Sequence, residues 1–123
     1  MSVRIGIVGS RRRRDELSVR ELVRELFVKH GSNLVIVSGG CQGVDSWAED
    51  EARKLGVDVF IFKPNLSNIK DYHDAVSRYY ERNKKIAEYA TGGIYAFVSE
   101  DRKGGTENTI KHAQKLGRKI VLK

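Results

Sequence analysis

Short apolar runs alternate along this chain with longer stretches in which apolar residues recur every three or four positions. The runs predict buried strands at residues 3–8, 34–38, 57–62, 94–98 and 118–122. The stretches between them predict amphipathic helices at residues 15–30, 44–55, 75–90 and 106–116. Residues 63–74 show neither pattern and contain the only proline, Pro64. This alternation predicts one Rossmann-like α/β domain over residues 1–123, a three-layer αβα sandwich with a mostly parallel five-stranded sheet.

Three of the predicted strands end in glycine and hydroxyl residues, and a helix follows each of them. The three turns contain Gly9-Ser10-Arg11, Ser38-Gly39-Gly40 with Gly43, and Gly104-Gly105-Thr106. In a parallel sheet, such turns all lie at the carboxyl edge of the strands, where ligands bind. Each also places free backbone N–H groups at a helix N-terminus, which attracts anions. The turns therefore predict a binding site for a phosphorylated ligand, with a plain strand-to-helix turn as the alternative for each.

Side chains near these turns have both a binding and a structural interpretation. Ser10 can offer its hydroxyl and its N–H group to a phosphate, and Arg11 is placed to point inward. Asp45 is expected to cap its helix, with a hydrogen bond to a ribose hydroxyl as the alternative. Asp15 is expected to cap the first helix, and Thr106 can either cap the fourth or bind the ligand.

The third and fourth helices add further candidates. Asn83 lies on an apolar stripe, so its amide must find partners, either in the glycine turns or in the ligand. Arg82, one position round the helix, either binds a phosphate or faces solvent. Glu107 is a candidate general base, although a glutamate in a first helical turn is stabilised there in any case. Glu100 is the other candidate acid–base group.

The chain is basic, with a formal net charge of +7. Part of the excess lies in one run of four arginines, of which Arg12, Arg13 and Arg14 are expected to face solvent. This balance fits nucleic acid, an anionic small ligand or only a basic surface. Aromatic residues make up 8% of the chain and are not interleaved with the arginine run. That separation argues against a platform on which single-stranded bases stack.

Composition also narrows the class of protein. Hydrophobic residues at 40% and charged residues at 32% are typical of a folded domain. No apolar run approaches the roughly 20 residues that span a membrane, so no membrane partner is expected. The single cysteine, Cys41, fits a reducing cytoplasm. His30, His73 and His112 lie in separate segments without the spacing of metal ligands, so no metal site is predicted.

Taken in order, these motifs resemble the SLOG superfamily over essentially the whole chain. The matching residues are Gly9-Ser10-Arg11, Ser38-Gly39-Gly40, Gly43-Val44-Asp45, Tyr79 with Arg82-Asn83, and Gly105-Thr106 with Asn108-Thr109. The superfamily includes the LOG proteins, DprA/Smf, and the YspA-like DUF2493 and molybdenum-cofactor carrier branches. The resemblance implies a Rossmann-like fold that binds nucleotides or their derivatives. It assigns to the pocket Ser10, Arg11, Gly39, Gly40, Gly43, Asp45, Arg82, Asn83, Gly105 and Thr106.

The last turn differs from the one that LOG enzymes carry. Their motif resembles Pro-Gly-Gly-x-Gly-Thr-x-x-Glu, whereas this chain reads Lys103-Gly104-Gly105-Thr106-Glu107-Asn108-Thr109, without the spaced glycine or the later glutamate. The resemblance is therefore nearer to the DUF2493, carrier and DprA branches.

Three functions follow as hypotheses. The leading one is binding of a nucleotide or a nucleotide-derived ligand, such as an ADP-ribose-like molecule, at the glycine turns. The first alternative is a LOG-like phosphoribohydrolase that uses Glu107 or Glu100. The second is DprA-like binding of single-stranded DNA. No cofactor is required for the leading hypothesis, a need for Mg²⁺ stays open, and we expect a homo-oligomer.

Overall fold

A computed structural model describes residues 2–123 and confirms the predicted α/β architecture. Its five strands are β1 (Val3–Gly9), β2 (Leu34–Ser38), β3 (Asp58–Ile61), β4 (Ile94–Phe97) and β5 (Ile120–Leu122). Its helices are α1 (Glu16–His30), α2 (Val44–Lys54), α3 (Tyr72–Tyr89) and α4 (Gly105–Lys115), with a short 3₁₀ turn at Gly31–Asn33. No helix of the described residues is both long and apolar enough to cross a membrane.

The strands form a single sheet in the order β3-β2-β1-β4-β5, and every neighbouring pair is parallel. The central strand β1 pairs with β2 on one side and with β4 on the other, and Gly6 lies opposite both Val37 and Ile94. From β1, the chain adds β2 and β3 on one side and then β4 and β5 on the other, so the direction in which strands are added reverses at β1. In an open parallel sheet, such a reversal leaves a crevice at the carboxyl ends of the strands.

Two apolar cores lie on the two faces of the sheet. Helices α1 and α2 cover one core, in which Ile7 and Phe97 from the sheet are fully or almost fully buried. Helices α3 and α4 cover the other core, which contains Val8, Ile86 and Ile110. Alternate residues of β1 therefore point into different cores, as the alternation of side chains along a strand requires.

Three helices, α1, α2 and α4, lack a side-chain cap at the N-terminus. Asp15 stands at the N-cap position of α1, but it makes no capping hydrogen bond because its carboxylate pairs with Arg13. Gly43 occupies the N-cap position of α2, so Asp45 lies inside the first turn and does not cap the helix. Gly104 precedes α4, and Thr106 makes no capping hydrogen bond either.

Helix α3 begins at Tyr72, three residues earlier than the apolar periodicity predicts. The cause is Asp71, whose carboxylate accepts a hydrogen bond of 2.8 Å from the N–H group of Asp74. An aspartate in this position satisfies a free donor of the first turn and fixes where the helix starts. The extra turn adds Tyr72 to the same helix as Arg82 and Asn83.

Candidate functional site

The predicted turns meet in a cavity of about 530 Å³ at the carboxyl edge of the sheet. Five segments contribute to its wall: the β1 turn (residues 9–14), the β2 loop (residues 38–43), the first turn of α2, helix α3 and the α4 turn (residues 103–106). The predicted site residues along its wall are Gly9, Ser10, Arg11, Asp45, Arg82, Asn83, Gly104, Gly105 and Thr106. The predicted residues Ser38, Gly39, Gly40 and Gly43 belong to the β2 loop but do not line the cavity.

Arg82 is buried, at 7% exposure, and points inward rather than into solvent. One of its terminal nitrogens, Nη1, donates hydrogen bonds to the Gly39 carbonyl at 2.6 Å and the Phe62 carbonyl at 3.3 Å. Its Nε donates to the side-chain oxygen of Asn83 at 2.9 Å. The interpretation of Arg82 as a solvent-facing arginine is therefore wrong. It holds the β2 loop against α3 while it also lines the cavity.

Asn83 joins the two helices on this face. Its amide nitrogen donates to the Gly105 carbonyl and to the side-chain oxygen of Asn108, both at 3.2 Å. The Gly105 carbonyl is a partner in a glycine turn, which one of the two interpretations from the sequence requires, whereas Asn108 lies farther along α4. Through Arg82 and Asn83, helix α3 is connected to both the β2 loop and the α4 turn.

Asp45 is a buried carboxyl group on the cavity wall, at 5% exposure. One of its oxygens accepts a 3.2 Å hydrogen bond from the N–H group of Cys41. Burial raises the pKa of Asp45 to about 6, the charge of Glu49 adds to the rise, and the backbone hydrogen bond and the charge of Arg82 oppose it. This carboxyl group therefore changes its charge just below neutral pH.

Ser38 supports the β2 loop from behind. Its hydroxyl donates a 2.6 Å hydrogen bond to the buried carboxylate of Glu49 and accepts one of 3.3 Å from the N–H group of Gly40. Glu49 is a residue that sequence reasoning missed. The signal was present, because Glu49 stands four positions after Asp45 and therefore shares its helix face.

Ser10 offers less to a ligand than predicted. Its N–H group donates to the Phe97 carbonyl at 2.9 Å, so only the hydroxyl is left for a phosphate. The hydroxyl oxygen in turn accepts a 3.2 Å hydrogen bond from the N–H group of Arg12. Arg11 was expected to point inward; it is exposed, and it lines the cavity.

The other three arginines of the run have different surroundings. Arg12 forms an exposed ion pair with Asp101 at 2.8 Å. Arg13, expected to face solvent, is half-buried instead, because it pairs with Asp15 and donates to the Val98 carbonyl at 2.9 Å. Arg14 is exposed, and its side chain has no ion pair or hydrogen bond within residues 2–123.

The α4 turn presents unpaired donors. Within the described chain, the N–H groups of Gly104, Gly105 and Thr106 make no hydrogen bond, and all three residues line the cavity. Exposed Lys103 lines it as well. Free N–H groups at the start of a helix, next to a cation, are suited to binding an anion.

Three tyrosines of α3 share the cavity with these groups, although none of them was predicted to lie there. Tyr72 is 77% exposed, Tyr80 is 46% exposed, and Tyr79 is partly buried. Helical spacing was the available signal, because Tyr72, Tyr79 and Tyr80 fall on the helix face that carries Asn83. The aromatic residues are thus remote from the arginine run in sequence but adjacent to it in the fold.

Both candidate acid–base groups lie outside this cavity. Glu107 is paired with Arg102 through two hydrogen bonds of 2.7 and 2.9 Å. Glu100 is exposed and lines a different cavity. Among residues 2–123, no group of three or more histidine, cysteine, aspartate or glutamate side chains is arranged to hold a metal ion.

The fold and its turns define a Rossmann-like domain of the kind that the SLOG resemblance implies. No protein-family description and no curated protein sequence matches this chain. Two solved structures share its fold at 19% sequence identity, and both are DNA processing protein A, or DprA. The protein from Streptococcus pneumoniae superimposes with a TM-score of 0.77 over 98% of this chain and 50% of its own. The protein from Helicobacter pylori, described for its single-stranded DNA binding mode, gives a TM-score of 0.75 over 98% and 64%.

This chain therefore spans between half and two thirds of the length of the two proteins. At this level of identity the likeness concerns the fold. It shows no family or branch for this chain.

Proposed function

We propose that this domain binds single-stranded DNA, with phosphate groups at the β1 and α4 turns and bases against the tyrosines of α3. The observation that carries the proposal is that exposed cations and exposed tyrosines line one cavity. Single-strand binding sites combine these two elements, since cations follow the backbone and aromatic rings stack on bases of any sequence. The arginines and the aromatic residues are far apart along the chain, which argued against a site for stacked single-stranded bases. The fold brings them together in one cavity.

Charge favours an anionic ligand. Arg11, Arg12, Arg82 and Lys103 line the cavity, and Asp45 is the only carboxyl group that the described residues contribute to its wall. Because burial raises the pKa of Asp45 to about 6, its negative charge is reduced as the pH falls towards that value. The cavity is therefore positive on balance, in keeping with the net charge of +7.

The two solved structures that share this fold favour DNA over other anionic ligands. Both are DprA proteins, and the one from Helicobacter pylori binds single-stranded DNA. We carry over this binding alone, because the matched region is only part of either protein.

A nucleotide or nucleotide-derived small molecule is the second candidate. A cavity of about 530 Å³ falls within the range of roughly 300 to 1,000 Å³ that is usual for small-molecule sites. This function suits the DUF2493-like and carrier-like branches of the resemblance. It uses the same phosphate-binding groups, so the two candidates are separated by the length of the ligand that binds best.

Fluorescence anisotropy with a labelled oligothymidylate of about ten nucleotides tests the first candidate, since single-strand sites cover about 4 to 16 nucleotides. We expect binding at low salt, with an affinity that falls by about 0.7 log units per log unit of salt for each phosphate contacted. Tyr72→Leu should weaken binding at least about fivefold, because a stacked base contributes roughly 1–3 kcal/mol. Tyr72→Phe keeps the ring and should bind like the wild type.

Arg11→Gln provides the test of charge, with Arg53→Gln as its matched control. Arg53 is exposed on α2, and its side chain has no ion pair or hydrogen bond within residues 2–123. Only Arg11→Gln should weaken binding. The proposal is wrong if the wild type does not bind the oligonucleotide at low salt, or if Tyr72→Leu and Arg11→Gln bind as tightly as Arg53→Gln.

Cys41 supplies a second readout for the small-molecule candidate. It is the only cysteine, it is partly exposed, and it lines the cavity. A ligand in the cavity should slow its reaction with a disulfide reagent. If AMP or ADP-ribose slows the reaction and the oligonucleotide neither slows it nor binds, the second candidate replaces the first.

A further inference from the structure

A second cavity, of about 630 Å³, lies beside the first between the β1 turn and the loop that follows β4. The loop contributes Ser99, Glu100 and Arg102, and the β1 turn contributes three arginines in succession. Arg12 lines both cavities, so they are neighbours along one edge of the domain. Of the residues that line the second cavity, the charge argument for the proposed DNA-binding site uses only Arg12.

The arginines of the second cavity divide into those that hold the fold and those that are available, and exposed Glu100 is the one carboxylate that the described residues contribute to its wall. Arg13 is fixed by Asp15 and by backbone carbonyls, and Arg102 is fixed by Glu107. Arg14 is exposed, and no acidic partner lies within ion-pair distance of it in the described chain.

Arg12 can also change its partner. Its ion pair with Asp101 is open to solvent, with side-chain exposures of 64% and 42%. Exposed pairs of this kind contribute little to stability, so a phosphate can take the place of the carboxylate at small cost.

The loop after β4 is held in place before any ligand arrives. Arg102 has a φ angle of 54°, which is unusual for a residue other than glycine. The turn closes through a 3.1 Å hydrogen bond from the N–H group of Arg102 to the Ser99 carbonyl. The Ser99 hydroxyl donates to Asp101 at 2.8 Å. The arginines of the second cavity therefore face a fixed wall.

We infer that the second cavity receives the phosphates next to the one bound in the first cavity, with Arg12 shared between the two and Arg14 as the cation specific to the second. This inference rests on the proposed binding of single-stranded DNA. It predicts that the domain binds a continuous strand of several nucleotides in preference to a single nucleotide.

The experiment compares two ligands on three proteins. Thymidine monophosphate and an oligothymidylate of about six nucleotides are titrated against the wild type, Arg14→Gln and the matched control Arg53→Gln, at about 50 mM salt and above. For Arg14→Gln we expect a loss of roughly three- to tenfold in affinity for the oligonucleotide, as for one exposed charge-assisted contact. The salt slope should fall by about 0.7. Protection of Cys41 by the mononucleotide should be the same in all three proteins, because Cys41 lines only the first cavity.

The outcomes separate the two proposals. If the wild type binds the oligonucleotide and Arg14→Gln binds it with the same affinity and salt slope as Arg53→Gln, this inference is wrong and the proposed function stands. If the mononucleotide and the oligonucleotide bind equally tightly to the wild type, the inference is also wrong. If the wild type does not bind the oligonucleotide at low salt, both proposals are wrong.

Discussion

The β2 loop and the α4 turn share a sequence feature, yet their surroundings in the structure are opposite. Each combines two consecutive glycines with a hydroxyl residue, just before or at the start of a helix. Buried polar groups surround the β2 loop, and Arg82, Asp45 and Glu49 take up its hydrogen-bonding groups. The α4 turn is exposed, and its N–H groups have no partner among the described residues.

The glycines serve different purposes in the two segments. A Cβ atom on Gly39 would lie 2.8 Å from the Arg82 guanidinium and 3.0 Å from the Asp45 carboxylate. A Cβ atom on Gly105 would have only the Asn83 amide nearby, at 3.8 Å. Glycine in the first segment lets charged side chains approach the backbone, whereas glycine in the second leaves the backbone open to a ligand. A pair of glycines after a strand therefore does not by itself indicate which groups bind.

Removal of the Arg82 guanidinium should have the largest effect on the β2 loop. Arg82→Met leaves the Gly39 carbonyl and the Asn83 oxygen without their donor, and it leaves Asp45 without its nearby positive charge. We expect the free energy of unfolding to fall by about 3 to 5 kcal/mol, as it does when one partner of a buried charged group is removed. Urea denaturation measures the loss.

Arg53→Met is the control for this prediction, because it removes an exposed arginine that has no partner in the described chain. It should change stability by no more than about 0.5 kcal/mol. A loss of similar size in both variants would mean that the buried contacts of Arg82 do not stabilise the loop.

Asp45 makes the stability of the domain depend on pH. Its pKa rises from 3.8 in the unfolded chain to about 6 in the folded one, so the folded state binds more protons between these values. This group's contribution to the free energy of unfolding is therefore complete below pH 3.8 and is lost as the pH rises towards 6. We expect a loss of roughly 2 kcal/mol across that window.

Asp45→Asn isolates this effect, since it keeps an oxygen for the Cys41 N–H group and removes the titration. Burial lowers the pKa of His112, and that group acts in the opposite direction, because its contribution is lost as the pH falls. The quantity to measure is thus the difference in unfolding free energy between wild type and variant, from about pH 4 to pH 7. A difference that stays constant over this range would contradict the raised pKa.

Alanine substitutions test the two glycines directly. Gly39→Ala forces the Arg82 guanidinium away from the carbonyls that it binds and should cost about 1 to 2 kcal/mol. Gly105→Ala meets only ordinary van der Waals contact and should be neutral or stabilise the domain by about 0.5 kcal/mol, because alanine is favoured in a helix. Thermal unfolding of both variants in one buffer gives the comparison. Equal losses would mean that the two segments tolerate side chains alike.

The element order and the sheet class could be predicted because apolar periodicity reflects burial on one face or two. The convergence of the turns followed from the parallel sheet alone. The direction of the Arg82 side chain could not be predicted. A shift of one residue around α3 is enough to turn an arginine from solvent towards the Gly39 carbonyl, which Arg82 binds. The early start of α3 was missed because a single side chain, Asp71, determines it.

Asp45 shows why helix caps are hard to assign from sequence. An aspartate that follows glycine and valine can occupy either the N-cap position or the first turn of a helix. Here the helix starts two residues earlier than an Asp45 cap requires, so Asp45 supports the loop through the Cys41 N–H group. The tyrosines illustrate a further limit. Their distance from the arginine run along the chain gave no measure of their distance in space, which depends on the place of α3 beside the β1 turn.

The order of the elements along the chain also determines when the site can form during synthesis. β2 follows β1 closely along the chain, so these strands can pair early. β4 and α4, which complete the cavity, are made much later. A nascent chain therefore exposes the arginines of the β1 turn long before the tyrosines and the α4 turn are in place. The complete cavity therefore exists only after the segment that contains the α4 turn has been translated.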